Sequence, residues 1–99
     1  MSNPRVPRRS GDDLETLPNI GPRLAKKLRD AGVRSETDLA RLGSVKVMLR
    51  IAGGDPVRGF NMLYALEGAL RGVRWHLIPK NDRMALRSAL KDAESGDWL

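Results

Sequence analysis

The chain has 99 residues, 40% hydrophobic and 30% charged, enough for one core and too few for two. Eighteen Lys+Arg against twelve Asp+Glu leave a net charge of +6 with the single His neutral, which makes a polyanion the first class of partner to consider. Cysteine is absent, so a disulfide framework, a thiolate nucleophile, Cys-ligated zinc and an iron–sulfur cluster are excluded. The longest uncharged stretch, Gly59 to Leu66, is far shorter than the ~20 apolar residues of a membrane span. With no apolar signal-peptide stretch at the N-terminus either, a cytoplasmic location is expected.

Residues 1–10 hold two prolines, three arginines and no acid, and read as a disordered basic tail. Residues 94–99 read as a flexible acidic tail, and 11–93 as the folded domain. Residues 11–91 carry 15 basic and 9 acidic groups, so the whole +6 belongs to the body and the tails cancel.

Within the body the apolar spacing is helical throughout, and no alternating β-branched run bounded by turns marks a strand pair. The expected fold is all-α, a small bundle of five to six short helices. Asp12 can cap a first helix, Asp13 to Leu17, with Leu14 and Leu17 on one side and Pro18 as its stop. Pro22 suits the first position of a second helix, where its missing N–H costs nothing; Leu24, Leu28 and Ala31 recur on one face until Gly32 ends it. Ser35 with Asp38 resembles a capping box for a third helix, with Leu39 and Leu42 apolar and Gly43 as the stop. Ser44 can cap a fourth, with Val45, Met48, Leu49 and Ala52 on one face, before the break Gly53-Gly54-Asp55-Pro56. Asn61 opens a fifth helix, Met62 to Leu70, apolar over most of its circumference and therefore expected at the centre; Gly68 would let a neighbour approach closely. Val73 to Pro79 reads as extended, and Asn81 or Asp82 as the cap of a last helix aligning Leu86, Ala89, Leu90 and Ala93.

The turn between the first two helices, Leu17-Pro18-Asn19-Ile20-Gly21-Pro22, carries the most information. Ile20 is placed to plug the interhelical core, while Asn19 and Gly21 tolerate the positive φ that a tight turn requires. The helix starting at Pro22 directs orphan N–H groups and its positive dipole end outward, a setting that suits a phosphate oxygen. On a helical wheel Arg23, Lys26 and Lys27 lie on the outer side of that helix, beside this position. The alternative is an ordinary αα turn whose Lys and Arg merely populate a solvated face.

This stretch resembles the helix-hairpin-helix motif, a DNA-binding element that does not read sequence; the match departs at Asn19, where the motif has its first glycine. A longer resemblance adds Ala31-Gly32-Val33, Asp38-Leu39, Leu42-Gly43, Asn61-Met62-Leu63-Tyr64-Ala65-Leu66-Glu67-Gly68-Ala69-Leu70 and Trp75. From about Leu14 to Leu90 the chain is similar to the C-terminal domain of the TfoX/Sxy competence-regulator family. That resemblance implies an all-helical domain, makes Asn19 an expected variant of the hairpin, and implies a role in regulating transcription of DNA-uptake genes. Regulator-type members of the family usually carry an additional N-terminal domain.

Other features have two readings each. Arg83, Arg87 and Lys91, spaced i, i+4, i+8, form a second basic stripe that either extends a phosphate-binding surface or is simply solvated. Trp75 either packs on the fifth helix or stacks on a base. Arg71 and Arg74 are equally unplaced, and Met48, Met62 and Met84 could serve an adaptable apolar surface. His76 is the sole imidazole and has no nucleophile or carboxylate signature near it, so no catalytic role, metal or cofactor is expected. Asp55 lacks the large surrounding domain a base-excising enzyme needs. The expected partner is DNA through its phosphate backbone, the alternative a protein held by the same fold with a purely structural hairpin; neither a membrane nor a small-molecule substrate is expected.

Overall fold

In the computed structural model, which describes residues 13–53 and 60–95, the apolar spacing becomes five α-helices and two 3-10 turns. In chain order these are η1 (Asp13–Thr16), α1 (Pro22–Asp30), α2 (Glu36–Leu42), α3 (Ser44–Ala52), α4 (Asn61–Arg71), η2 (Trp75–Leu77) and α5 (Lys80–Ser95). No strand occurs among the described residues. The tails at 1–10 and 96–99, the Asp12 cap and the Gly54-Asp55-Pro56 break lie outside them, while Glu94 and Ser95 form the last turn of α5.

Local rules account for most boundaries. Pro22 stands at the start of α1, and Gly32, at φ 87°, ends it with a paired return: Val33 N–H donates to the Leu28 carbonyl at 2.8 Å and Gly32 N–H to the Arg29 carbonyl at 3.0 Å. Gly72, at φ 75°, closes α4 in the same way, with Val73 N–H donating to the Gly68 carbonyl at 2.9 Å. Ser35 caps α2 by accepting from Asp38 N–H at 3.2 Å. The reciprocal half of the box is displaced by one residue, because the Asp38 carboxylate takes the N–H of Arg34, at 3.0 Å, rather than that of Ser35.

Four local expectations need correction. The first helix is a single 3-10 turn ending at Thr16, too short for α-helical bonding before Pro18. Ser44 does not cap α3: Gly43 precedes the helix, and the buried Ser44 hydroxyl donates to Glu67 Oε1 at 2.7 Å. Val73 to Pro79 is not extended throughout, because Leu77 N–H donates to the Arg74 carbonyl and folds the segment into η2, burying Ile78. The last helix begins at Lys80, with Arg83 N–H donating to the Pro79 carbonyl at 3.0 Å; Asp82 is engaged by Arg71 instead of capping.

The core joins Leu14, Ile20, Ala25, Leu28, Val33, Leu39, Val47, Met48, Leu63, Leu66, Ala69 and Leu90. Each fully buried Leu or Val contributes roughly 1.5–3 kcal/mol relative to exposure. Helix α4 is buried along Leu63, Tyr64, Leu66, Gly68 and Ala69, as its composition predicts. Helix α3 is equally central, since it packs on α1, α2, α4 and α5. With neighbours on so many sides its buried set widens from the predicted stripe to include Ser44 and Val47, while Val45, Leu49 and Ala52 are only half-buried. On α5 the buried position is Leu90, flanked by half-buried Leu86 and Ala93, and Ala89 is exposed.

A polar chain ties the elements together at one edge. Glu67 accepts from Ser44 through Oε1 and from Arg71 Nε through Oε2 at 2.9 Å, and Arg71 Nη1 reaches Asp82 Oδ2 at 2.7 Å. The hydrogen bond to Asp82, and then that to Glu67, holds the Arg71 guanidinium above its ordinary pKa.

Candidate nucleic-acid interface

The hairpin is built from both directions. Leu17 N–H donates to the Leu14 carbonyl at 3.1 Å, closing η1, and Ile20, 5% exposed, enters the core as the plug its apolarity predicts. Asn19 takes the left-handed backbone, φ 70°, the one positive φ outside glycine among the described residues. Gly21 does not share it: at φ −99° and ψ −173° it is extended, and its carbonyl accepts from Ala25 N–H at 2.9 Å to start α1. A Cβ built on Gly21 meets nothing within 4 Å among the described residues.

The Asn19 side chain points into the fold. Its Nδ2 donates to the Val73 carbonyl at 2.9 Å and the Ala65 carbonyl at 3.3 Å, and its Oδ1 accepts from Trp75 N–H at 3.1 Å. One carboxamide thereby fastens the hairpin to the end of α4 and to η2. Gly68 makes room for this latch: a Cβ there would stand 2.5 Å from Asn19 Nδ2 and 2.7 Å from the Val73 carbonyl oxygen. The close approach read from Gly68 is thus made by the hairpin.

Around the α1 N-terminus the charge is one-sided. The first turn holds no acid and no side-chain cap, which leaves its N–H groups and dipole without a side-chain counterpart from that turn, and Arg23 stands exposed within it. Lys26 and Lys27 are exposed on the next turn. Lys26 pairs with Asp30 at 3.0 Å, but with the two side chains 75% and 66% exposed the pair is weak and readily exchanged. Arg23 and Lys27 have no ion-pair partner among the described residues.

The second stripe turns toward α4. The Arg87 guanidinium lies 4.7 Å from the Phe60 ring centroid and that of Arg83 5.9 Å from Tyr64, while Lys91 is exposed. The route from this stripe to the hairpin runs through aromatic rings: Tyr64 stacks on Trp75 with centroids 6.2 Å apart and planes 16° from parallel, and the Trp75 backbone holds Asn19. Beside the hairpin this arrangement leaves a cleft of ≈ 550 Å³, lined among others by Asn19, Leu24, Asn61, Arg74, Trp75 and His76. Sequence reasoning did not group Asn61, Arg74 and His76 with the hairpin; the only pointer was Gly68, which signalled that some backbone crosses α4 there. No group of three or more His, Asp or Glu able to hold a metal ion occurs among the described residues, and no described helix is long and apolar enough to cross a membrane.

The model of the TfoX C-terminal domain family matches residues 10–90. The chain belongs to that family. A crystal structure of an uncharacterized protein from Listeria monocytogenes, triclinic form, is similar at 37% identity and a TM-score of 0.73 over 82% of this chain and 92% of that one. A second, of a Listeria monocytogenes protein of unknown function in a tetragonal form, is 36% identical with a TM-score of 0.72, covering 82% of this chain and 99% of that one. No curated protein matches the chain. Membership of the TfoX C-terminal family makes this a competence-regulator-related domain of regulator type. In this TfoX C-terminal domain the hairpin asparagine takes the left-handed backbone and adds a latch.

Proposed function

We propose that the domain binds the DNA phosphate backbone through its hairpin without reading bases, as an anchoring module in transcriptional regulation of the competence type. The carrying observation is the α1 N-terminus: an extended Gly21 with no described residue within 4 Å of a Cβ built on it, no acid in the first turn, and Arg23, Lys26 and Lys27 around it. Backbone N–H groups and the helix dipole supply directed attraction for one phosphate, and the three cations act on its neighbours. Asn19 and Ile20 act as hairpin, the former as latch and the latter as plug, so any contact they make with phosphate is through the main chain.

The test is a salt titration of binding to a short duplex of arbitrary sequence, with the intact chain and with one lacking residues 1–10. A steep salt dependence retained without the tail supports the reading, and removing one of the three cations should lower the slope by about one and weaken all sequences alike. If the combined reversal Arg23→Glu, Lys26→Glu, Lys27→Glu leaves duplex affinity unchanged, the assignment fails. The alternative, a protein partner, then gains weight from Leu77 and Met84, large apolar side chains that are 62% and 53% exposed.

A further inference from the structure

We propose that the cleft beside the hairpin receives an unpaired base of single-stranded DNA, stacked on the exposed part of the Trp75 ring, so that the preferred ligand is a duplex with a single-stranded extension. This deepens the hairpin reading and rests on it. Trp75 is the anchor: Tyr64 lies near-parallel beside its ring, with centroids 6.2 Å apart, and the residue remains 36% exposed and lines the ≈ 550 Å³ cleft. An indole held beside a second ring is a fixed platform, and a nucleobase stacks on such a face whatever its identity.

The surroundings of the ring fit a nucleotide. Arg74 and His76 flank Trp75 in sequence and line the same cleft, with the imidazole edge-on to the indole at 6.1 Å and 89°. Asn61, exposed at the start of α4, brings donors and acceptors for a base edge. On the far side of Tyr64 a second depression of ≈ 470 Å³ is lined by Tyr64, Met84 and three cations, Lys80, Arg83 and Arg87. Among the described residues no acid lines either depression. Cations on both sides of a stacked aromatic pair make a path for a sugar–phosphate strand whose bases turn inward. Asn19 fixes the geometry between the two parts of the ligand, because its Oδ1 holds Trp75 N–H while its own backbone forms the hairpin. A duplex phosphate at α1 and an unpaired base at Trp75 are thereby presented to one rigid frame.

The test compares three DNAs by competition: a blunt duplex, the same duplex with a short run of unpaired thymidines at each end, and that extended duplex with abasic sites replacing the thymidines. The extended duplex should bind on the order of tenfold more tightly than the blunt one, and the abasic version should fall back to the blunt affinity. Trp75→Leu should abolish the preference for the extended duplex, and Trp75→Phe should keep most of it. With Trp98, the chain's other tryptophan, replaced by Phe, thymidine extensions should quench the remaining indole and abasic ones should not. The comparison of DNAs on the unaltered chain stands even if Trp75→Leu does not fold. Equal affinity for all three DNAs, or for thymidine and abasic extensions, overturns the stacking site while hairpin-dependent duplex binding survives. Failure of the hairpin reading shows separately, as blunt-duplex affinity indifferent to charge reversal at Arg23, Lys26 and Lys27; no binding to any of the DNAs overturns both.

Discussion

Replacing Asn19 isolates the latch from the hairpin it sits in. Asn19→Gly keeps the left-handed backbone available and removes three hydrogen bonds: the part-buried pair to the Val73 and Ala65 carbonyls and the more exposed one from Trp75 N–H. At a net 0.5–1.5 kcal/mol per bond, with the exposed one near the bottom of that range, the loss is about 2 kcal/mol. Asn19→Ala loses the same bonds and keeps a Cβ at φ 70° without the polar side chain that lets asparagine tolerate that conformation, so it should cost roughly 1 kcal/mol more than Asn19→Gly. For a domain of this size about 2 kcal/mol lowers Tm by roughly 10 °C, and urea unfolding should show a shifted midpoint at unchanged slope. Asn19→Asp keeps the acceptor for Trp75 N–H but sets a carboxylate against two carbonyl oxygens. Its folded-state pKa is therefore raised above the unfolded value, so the deficit is full at neutral pH and shrinks as pH falls through that raised pKa, where the carboxyl can donate. A latch is refuted if Asn19→Gly unfolds within about 0.5 kcal/mol of the parent, a difference smaller than one net hydrogen bond.

Three further outcomes follow from the same geometry. Gly68→Ala should destabilise by about 2 kcal/mol although alanine is the better helix former by roughly 1, since the new methyl would press on the backbone of Val73 and the pinned amide of Asn19; a stability gain in urea melts would contradict the close approach. Ser35→Ala should lose about 1 kcal/mol through the missing cap on α2, and an unchanged melting temperature would show that Asp38 alone holds that turn. Arg71 has a pKa raised above its ordinary value by Asp82 and Glu67, so its contribution is complete at every pH below the unfolded value and is lost only as pH rises through the folded one. Arg71→Gln should accordingly cost the same, under about 1 kcal/mol for so exposed a group, at mildly acidic and mildly basic pH. A cost that vanished between those two conditions would place the effect on another group.

Much of what depends on neighbours a few residues away was legible in the sequence, although the failure of Ser44 and Asp82 to cap and the 3-10 turn at Trp75 were not. Pro22 and Gly32 bracket α1, Ser35 and Asp38 open α2, and the apolar girth of Met62 to Leu70 marks a buried helix, because each of these is settled by local backbone geometry or by one face of one helix. Val47 was not legible, since a position outside the predicted stripe becomes core only when further helices close over it. The direction of Arg83 and Arg87 was not legible either: a stripe spaced i, i+4 looks solvated until Phe60 and Tyr64 are placed beneath it. Asn61, Arg74, Trp75 and His76 meet Asn19 across more than forty residues of chain, and a periodicity of 3.6 carries no record of such meetings.

Asn19 shows why the hairpin was half legible. A sequence pattern records the need for positive φ, and both glycine and asparagine answer it, so the substitution reads as a blemish in a DNA-binding turn. The side chain answers a second need that lies 46 and 54 residues away, the carbonyls of Ala65 within α4 and of Val73 just beyond it, which a glycine could not reach. A turn held only by its own backbone can adjust; one fastened to α4 and η2 would meet a phosphate, as proposed above, in a fixed orientation, with less ordering on binding and the position of Trp75 relative to α1 set beforehand. The residue that departs from the motif is therefore the one that joins the motif to the rest of the surface.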